Sequence, residues 1–143
     1  MQQVVPYLLF DGTCQEAFEF YAKSLGGKIE AMLTHAGTPA EGHVPSEFCG
    51  KIMHAMMKLD DGILMASDCP PERYVKPQGF SVSYQTTTPE DAERVFAALA
   101  EGGSVCMPIG PTFWASRFGM CVDRFGTPWM INCYAEQTPP AGA

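Results

Sequence analysis

The chain has 143 residues, 46% of them hydrophobic, and a formal net charge of −7. That length buries a core without staples, and an acidic chain with no run of Lys or Arg repels phosphate backbones, so nucleic acid is not an expected partner. No apolar run approaches the ~18 residues of a membrane span, and the opening MQQVVPYLLFDG lacks a basic start, so neither a membrane nor a signal peptide is expected and the expected location is cytoplasmic.

Taken in order, the first predicted element is a strand over Val4–Phe10, β-branched and aromatic, which Asp11-Gly12 stops. TCQEAFEFYAKSLGG then places Ala17, Phe18, Tyr21 and Leu25 at helical spacing, with Thr13 as N-cap, Glu16 three residues on and Gly26-Gly27 as terminator. A strand over 28–33 follows, then a Gly/Pro-rich mobile loop from about Thr34 to Gly50. KIMHAMMKL-DDG-ILMASD reads as a hairpin turning at Asp61-Gly62.

The same order recurs. Phe80–Thr86 is a predicted strand; Thr88-Pro89-Glu90-Asp91 opens a helix whose apolar stripe is Ala92, Val95, Phe96 and Leu99, and Gly102-Gly103 ends it. SVCMPI is the next strand and FGMCVD-RFGT-PWMINC the closing hairpin. EAFEFYAKSLGG aligns with DAERVFAALAEGG with one inserted residue, so two βαβββ modules in tandem are expected. The organisation is one domain over 1–143: module 1 (about 3–68), a proline-bearing linker (69–79), module 2 (about 80–134) and a loose tail (135–143). A helix on one face of each curved sheet leaves the other face to line a cavity or a partner interface.

Strand alternation assigns the faces. Met53, Ala55, Met57 and Leu59 form the helix-facing set of their strand; Ile52, His54, Met56 and Lys58 form the other, with Met65 and Ser67 as neighbours. In module 2, Ser81, Ser83 and Gln85 oppose Phe80, Val82 and Tyr84, while Met130, Asn132 and Tyr134 oppose Trp129, Ile131 and Cys133. A wall of Met, Ser, Asn, Gln and one His suits a small organic ligand of moderate polarity. His54 is either a structural histidine or a proton acceptor or hydrogen-bond donor to that ligand. GPTFWASR begins with Gly-Pro and reads as a loop at the cavity mouth or a dimer seam, where Trp114 and Arg117 could stack on and pair with a ligand or plug an interface.

The six cysteines form no CxxC pair and none has a His at finger spacing; Cys14, Cys106, Cys121 and Cys133 lie in apolar segments and are expected to be reduced, small hydrophobes. No strand carries a cluster of metal-ligating residues, and no Gly-rich phosphate or dinucleotide loop or G-x-S-x-G elbow occurs.

With YLLFDGTCQEAFEFYAKSLGG at the front and FWASRFGMCVDRFGTPW at the back, the chain resembles the vicinal oxygen chelate superfamily, which includes glyoxalase I, bleomycin-resistance proteins and extradiol dioxygenases. Within it the chain resembles the PhnB-like branch, through Phe10, Gly12, Glu16, Ala17, Phe20 and Tyr21, then Phe113, Trp114, Arg117, Gly119, Asp123, Phe125, Gly126 and Trp129, over about residues 3 to 134. The resemblance implies an α+β, glyoxalase-like fold: two βαβββ modules, mixed curved sheets enclosing a cavity, and helices outside. It also implies a homodimer. In metal-dependent members each module gives one ligand from its first strand and one from its last. Carried over, those positions are Pro6 and Ser81, then Met65 or Ser67, and Met130; apart from weak binding by Ser67 none is a usual ligand, which disfavours a divalent metal. Members of this branch are often labelled as 3-demethylubiquinone methyltransferases, yet no Gly-rich strand-to-helix loop is present to cradle S-adenosylmethionine.

The expected function is metal-independent binding of a small molecule, with no cofactor, at His54, Met56, Met65, Ser67, Ser81, Ser83, Trp114, Arg117, Met130 and Asn132. The alternative is an enzyme of lyase, isomerase or dioxygenase type, using His54 as base with Arg117 or Asn132 on an oxyanion, or a weakly held divalent metal.

Overall fold

The computed structural model describes residues 2–134, so the expected loose tail at 135–143 lies outside the described residues. The chain forms two compact units, Met1–Val75 and Lys76–Ala143, whose boundary falls within the expected linker. The first unit contains β1 (Tyr7–Phe10), α1 (Cys14–Leu25), β2 (Lys28–Thr34), β3 (Ile52–Lys58) and β4 (Ile63–Asp68). The second contains β5 (Val82–Thr86), α2 (Pro89–Ala100), β6 (Ser104–Gly110), β7 (Arg117–Val122) and β8 (Pro128–Cys133). Each builds one open four-stranded sheet, ordered β1-β4-β3-β2 and β5-β8-β7-β6. The outer pairs β1–β4 and β5–β8 are parallel and the others antiparallel, so both sheets are mixed and the class is α+β.

Two strands begin later than expected. Pro6 has no N–H to pair; its carbonyl accepts from Met65 N at 3.1 Å, and the ladder starts at Tyr7. Ahead of β5, Gly79 turns the chain at φ 82° and pairing starts at Val82.

The helices bury the faces their spacing predicts. α1 buries Cys14, Ala17, Phe18, Tyr21, Ser24 and Leu25, and α2 buries Ala92, Val95, Phe96 and Leu99. Each fully buried large side chain, such as Phe18, stabilises by about 1.5–3 kcal/mol. Gly119 permits α2 to lie close to its sheet: a Cβ there would stand 2.7 Å from Phe96 Cε1 and 3.0 Å from Ile109 Cα.

The two helix starts differ. Thr88 caps α2 as expected, its Oγ1 accepting from Asp91 N at 3.3 Å. Thr13 makes no side-chain cap, because at φ −112° and ψ 15° its backbone is not extended. Asp68, at the end of β4, replaces it. Its Oδ1 accepts from Cys14 N at 2.9 Å and its Oδ2 from Ile52 N at 2.9 Å, so one buried carboxylate ties α1, β3 and β4 together.

Ile52 itself lies on the side opposite to its expected one. Alternation groups it with His54, but Thr34 pairs with Ile52 and Leu33 with His54, so Met53 is an extra residue in β3. That bulge returns Ile52 to the helix-covered side, where it is 2% exposed. The segment expected as a mobile loop is partly built: it holds two short 3-10 helices, Pro39–His43 and Ser46–Phe48, and buries Phe48. His35 packs against Phe48, and its Nδ1 lies 3.2 Å from Lys51 O.

In the second unit the closing hairpin turns at Gly126, whose φ is 93°. Asp123 organises it: Oδ1 accepts from Phe125 N and Thr127 N at 2.8 and 3.1 Å, and Oδ2 from Trp129 Nε1 at 2.8 Å.

Candidate functional site

Each sheet has one face covered by its helix and one that is not. In the first unit the uncovered face carries Tyr7 and Leu9 from β1, Met65 and Ser67 from β4, and His54 and Met56 from β3. Met65 pairs with Tyr7 on one side and Met56 on the other, so the sequence-predicted His54, Met56, Met65 and Ser67 do share a face. Tyr7 and His54 stand on the strands flanking β4 and meet: the phenol oxygen lies 3.1 Å from His54 Nδ1, and the rings stack at 5.8 Å and 27°. Tyr7 is half-exposed. It lies outside the predicted set, although alternation in VVPYLLF puts Tyr7 and Leu9 on one face; what alternation cannot supply is the parallel β1–β4 register that delivers Tyr7 to His54.

In the second unit Ser83 pairs with Met130 and Gln85 with Asn132. Asn132 Nδ2 donates to Gln85 Oε1 at 3.1 Å and Gln85 Nε2 donates to Ser83 Oγ at 2.7 Å, giving a polar row across the parallel pair. Asn132 Oδ1 is buried without a hydrogen-bond partner among the described residues. Phe118 lies beside Asn132 across the β7–β8 ladder, and Trp114 packs edge-on against Phe118 at 5.3 Å, still 46% exposed. Ser81 is half-buried and precedes β5.

Arg117 is placed differently from its expected loop position. It opens β7, pairs with Cys133 and has the parity of the buried Gly119 and Cys121, which puts it on the α2 side. There its Nε bonds Glu93 at 3.0 Å and its Nη1 bonds Ser116 O at 2.7 Å. The strand parity separates it from Met130 and Asn132, so the structure does not bring Arg117 together with them.

At the positions that the resemblance assigns to metal ligands stand Pro6, whose ring offers no donor, thioethers at Met65 and Met130, and hydroxyls at Ser67 and Ser81. That set does not fit a hard or borderline cation, which prefers carboxylate or imidazole. Among the described residues no group of three or more His, Cys, Asp and Glu is placed to hold one. The thiols of Cys14 and Cys121 are poor nucleophiles: burial first, and then Asp68, pushes Cys14 up to about 12, and burial first, then Asp123 and Cys106, pushes Cys121 up to about 12. A separate cleft of about 410 Å³ lies off this face in the first unit, lined by Asp11, Phe48, Lys51, Cys69, Pro70 and Glu72 among others. Lys51 Nζ donates to Gly12 O at 3.2 Å across its margin. No described helix is long and apolar enough to cross a membrane.

Two βαβββ units with helices on one face and mixed Met, Ser, Asn and His faces on the other define the glyoxalase/bleomycin-resistance fold. The bleomycin-binding protein of Streptomyces verticillus, solved with copper(II)-bleomycin, shares that fold at a TM-score of 0.58 and 16% identity, over 93% of this chain and 96% of that one. The family model described as 3-demethylubiquinone-9 3-methyltransferase matches residues 2–132, and the chain belongs to that PhnB-like family. It is 31% identical to Protein YjdN of Escherichia coli (strain K12) over 140 residues, covering 92% of this chain and 95% of the relative. It is 49% identical to PA1353 of Pseudomonas aeruginosa, whose crystal structure it matches at a TM-score of 0.87, over 95% of this chain and all (100%) of that one.

Proposed function

We propose that the chain binds a small organic molecule without a metal, on the uncovered faces of its sheets, and does so as a cytoplasmic homodimer. The observation that carries the reading is the composition of those faces. In the first unit thioethers and aliphatic groups offer apolar area beside one imidazole, one phenol and the Ser67 hydroxyl; in the second, Met130 stands beside the Ser83 hydroxyl and an amide row. Ligand sites are built in that proportion, mostly apolar with a few placed polar groups. The donor set at Pro6, Ser81, Met65, Ser67 and Met130 supports independence from a metal. The bleomycin-binding protein, alike in fold, supports a binding role. The methyl transfer in the family's description is not part of this reading: the strand-to-helix turns at Asp11–Thr13 and Thr87–Thr88 are not the Gly-rich loops that hold such a cofactor.

Native mass spectrometry of freshly purified protein, with elemental analysis on the same sample, tests this. A dimer carrying a co-purified small molecule that survives chelation is expected. A stoichiometric metal whose removal releases that molecule would overturn metal independence, and a monomer in analytical ultracentrifugation would overturn the dimer. Turnover of the released molecule by wild type but not by His54→Ala would replace the binding reading with an enzymatic one.

A further inference from the structure

We infer that Tyr7 sets the tautomer of His54, so that this histidine presents Nε2–H as a hydrogen-bond donor to an acceptor oxygen on an apolar ligand. The inference rests on the ligand-binding reading and names the ligand's chemistry at the first unit's face. Three observations combine.

The phenol oxygen of Tyr7 lies 3.1 Å from Nδ1, within hydrogen-bond reach, and the stacked rings hold the imidazole in that orientation. A phenol gives its proton more readily than it accepts one, since its lone pairs are delocalised into the ring. The stable arrangement is therefore Tyr7 O–H donating to Nδ1. In a neutral imidazole only one nitrogen carries hydrogen, and an acceptor Nδ1 leaves it on Nε2.

Nε2 has no hydrogen-bond partner among the described residues, and His54 is only half-buried, so the donor remains available. Its neighbours on the face are Met56, Met65, Leu9 and Leu33, with the Ser67 hydroxyl as a second polar group. A molecule with an apolar body and a carbonyl or anionic oxygen fits that surface: the body covers the thioethers and the oxygen accepts from Nε2–H. His54 then acts as a donor in this state, not as the general base that the enzymatic alternative requires. Tyr7 is a positioning residue, acting through His54.

The tautomer is read directly from heteronuclear imidazole spectra of the unliganded protein, where His54→Phe identifies the His54 signals. Wild type is expected to show Nε2–H, and Tyr7→Phe, which keeps the stacking ring and loses only the O–H, is expected to give a mixture. An Nδ1–H tautomer in wild type, or an unchanged spectrum in Tyr7→Phe, overturns the inference.

The ligand half is tested with three naphthalenes of matched body: naphthoate, acetylnaphthalene and ethylnaphthalene, titrated into the same labelled protein. One net hydrogen bond corresponds to about 3- to 10-fold in affinity. At least one of the oxygen-bearing probes is expected to exceed ethylnaphthalene by that factor, to shift the Nε2 signal, and to lose its advantage in His54→Phe. Naphthoate winning alone assigns an anionic oxygen, and acetylnaphthalene winning alone a carbonyl. Equal binding by all three, an advantage that survives His54→Phe, or no binding by any probe overturns the acceptor-oxygen assignment. The co-purified molecule, by contrast, decides the wider binding reading on its own.

Discussion

Asp68→Ala is expected to destabilise the chain by about 2–5 kcal/mol, more than any single contact on the uncovered faces would. The magnitude follows from what the carboxylate does. Its two oxygens accept from two backbone N–H groups, of Cys14 and Ile52, each at 2.9 Å, and the residue is only 7% exposed. Truncation leaves both donors buried without their acceptor, at about 1–3 kcal/mol each. A water entering the vacated space would return part of that, which sets the upper figure below the plain sum. Asp68→Asn keeps one acceptor oxygen but turns an NH₂ toward the other donor, so it should cost about half as much. A domain's whole stability is about 5–15 kcal/mol, and the Ala variant should therefore show a large fall in urea midpoint by far-ultraviolet circular dichroism. Native-state hydrogen exchange locates the effect: the Cys14 and Ile52 amides should lose protection first. A loss below about 0.5 kcal/mol, the range of an ordinary surface change, would refute the reasoning. So would normal protection at those two amides.

Three further outcomes are expected. Cys14 and Cys121, held near 12 against an ordinary 9.0, keep protons in the folded chain that the unfolded chain gives up. Stability should therefore fall as pH rises from about 9 toward 12, Cys14→Ala should flatten that slope, and iodoacetamide at pH near neutrality should label the exposed Cys106 well before either buried thiol. Burial alone would raise Asp91, but hydrogen bonds from Tyr84 at 2.6 Å, Arg94 at 2.7 Å and Thr86 at 2.8 Å outweigh it and hold its carboxyl below the ordinary 3.8. Its contribution is therefore full above that ordinary value and lost as pH falls through the lower folded one, and Asp91→Asn should remove this portion of acid sensitivity from the urea midpoint plotted against pH. Gly119→Ala forces a Cβ to 2.7 Å from Phe96 and should cost about 1–3 kcal/mol in a urea melt, whereas Gly62→Ala, with nothing within 4 Å, should stay within about 0.5.

Elements whose cause is local could be read from the sequence. Ala92, Val95, Phe96 and Leu99 repeat at helical spacing and are the residues α2 buries; Trp129, Ile131 and Cys133 alternate and are buried along β8. Long-range features could not. The cap of α1 comes from Asp68, 54 residues on from Cys14, while the local candidate Thr13 has the wrong backbone to serve. A single extra residue at Met53 reverses the side of Ile52, and nothing in KIMHAMMKL marks a bulge. Tyr7 reaches His54 only because β1 runs parallel to β4, a pairing of strands far apart in sequence. Arg117 differs for a local reason: the Gly-Pro ahead of it reads as a loop, whereas its parity with Gly119 and Cys121 places it in β7.

The family motif and the uncovered faces are almost separate sets of residues, and that separation bears on function. Phe10 of β1 and Ala17 and Tyr21 of α1 are buried, Gly119 lets Phe96 approach, Asp123 and Trp129 knot the last hairpin, and Arg117 ties β7 to α2 through Glu93. Each is accounted for by packing or hydrogen bonding within its own unit. His54, Met56, Met65, Ser83 and Asn132, which look out from the sheets, lie outside the motif. A chain can therefore keep the whole pattern, and the family membership it confers, while changing these outward-facing side chains. Among the motif residues Glu16, Phe113 and Trp114 are exposed, and Trp114 meets Phe118 on the second unit. Binding at the first unit's face should accordingly track Tyr7 and His54, and binding at the second unit's face Asn132, so a relative that matches the motif but replaces Tyr7, His54 or Asn132 should bind something else.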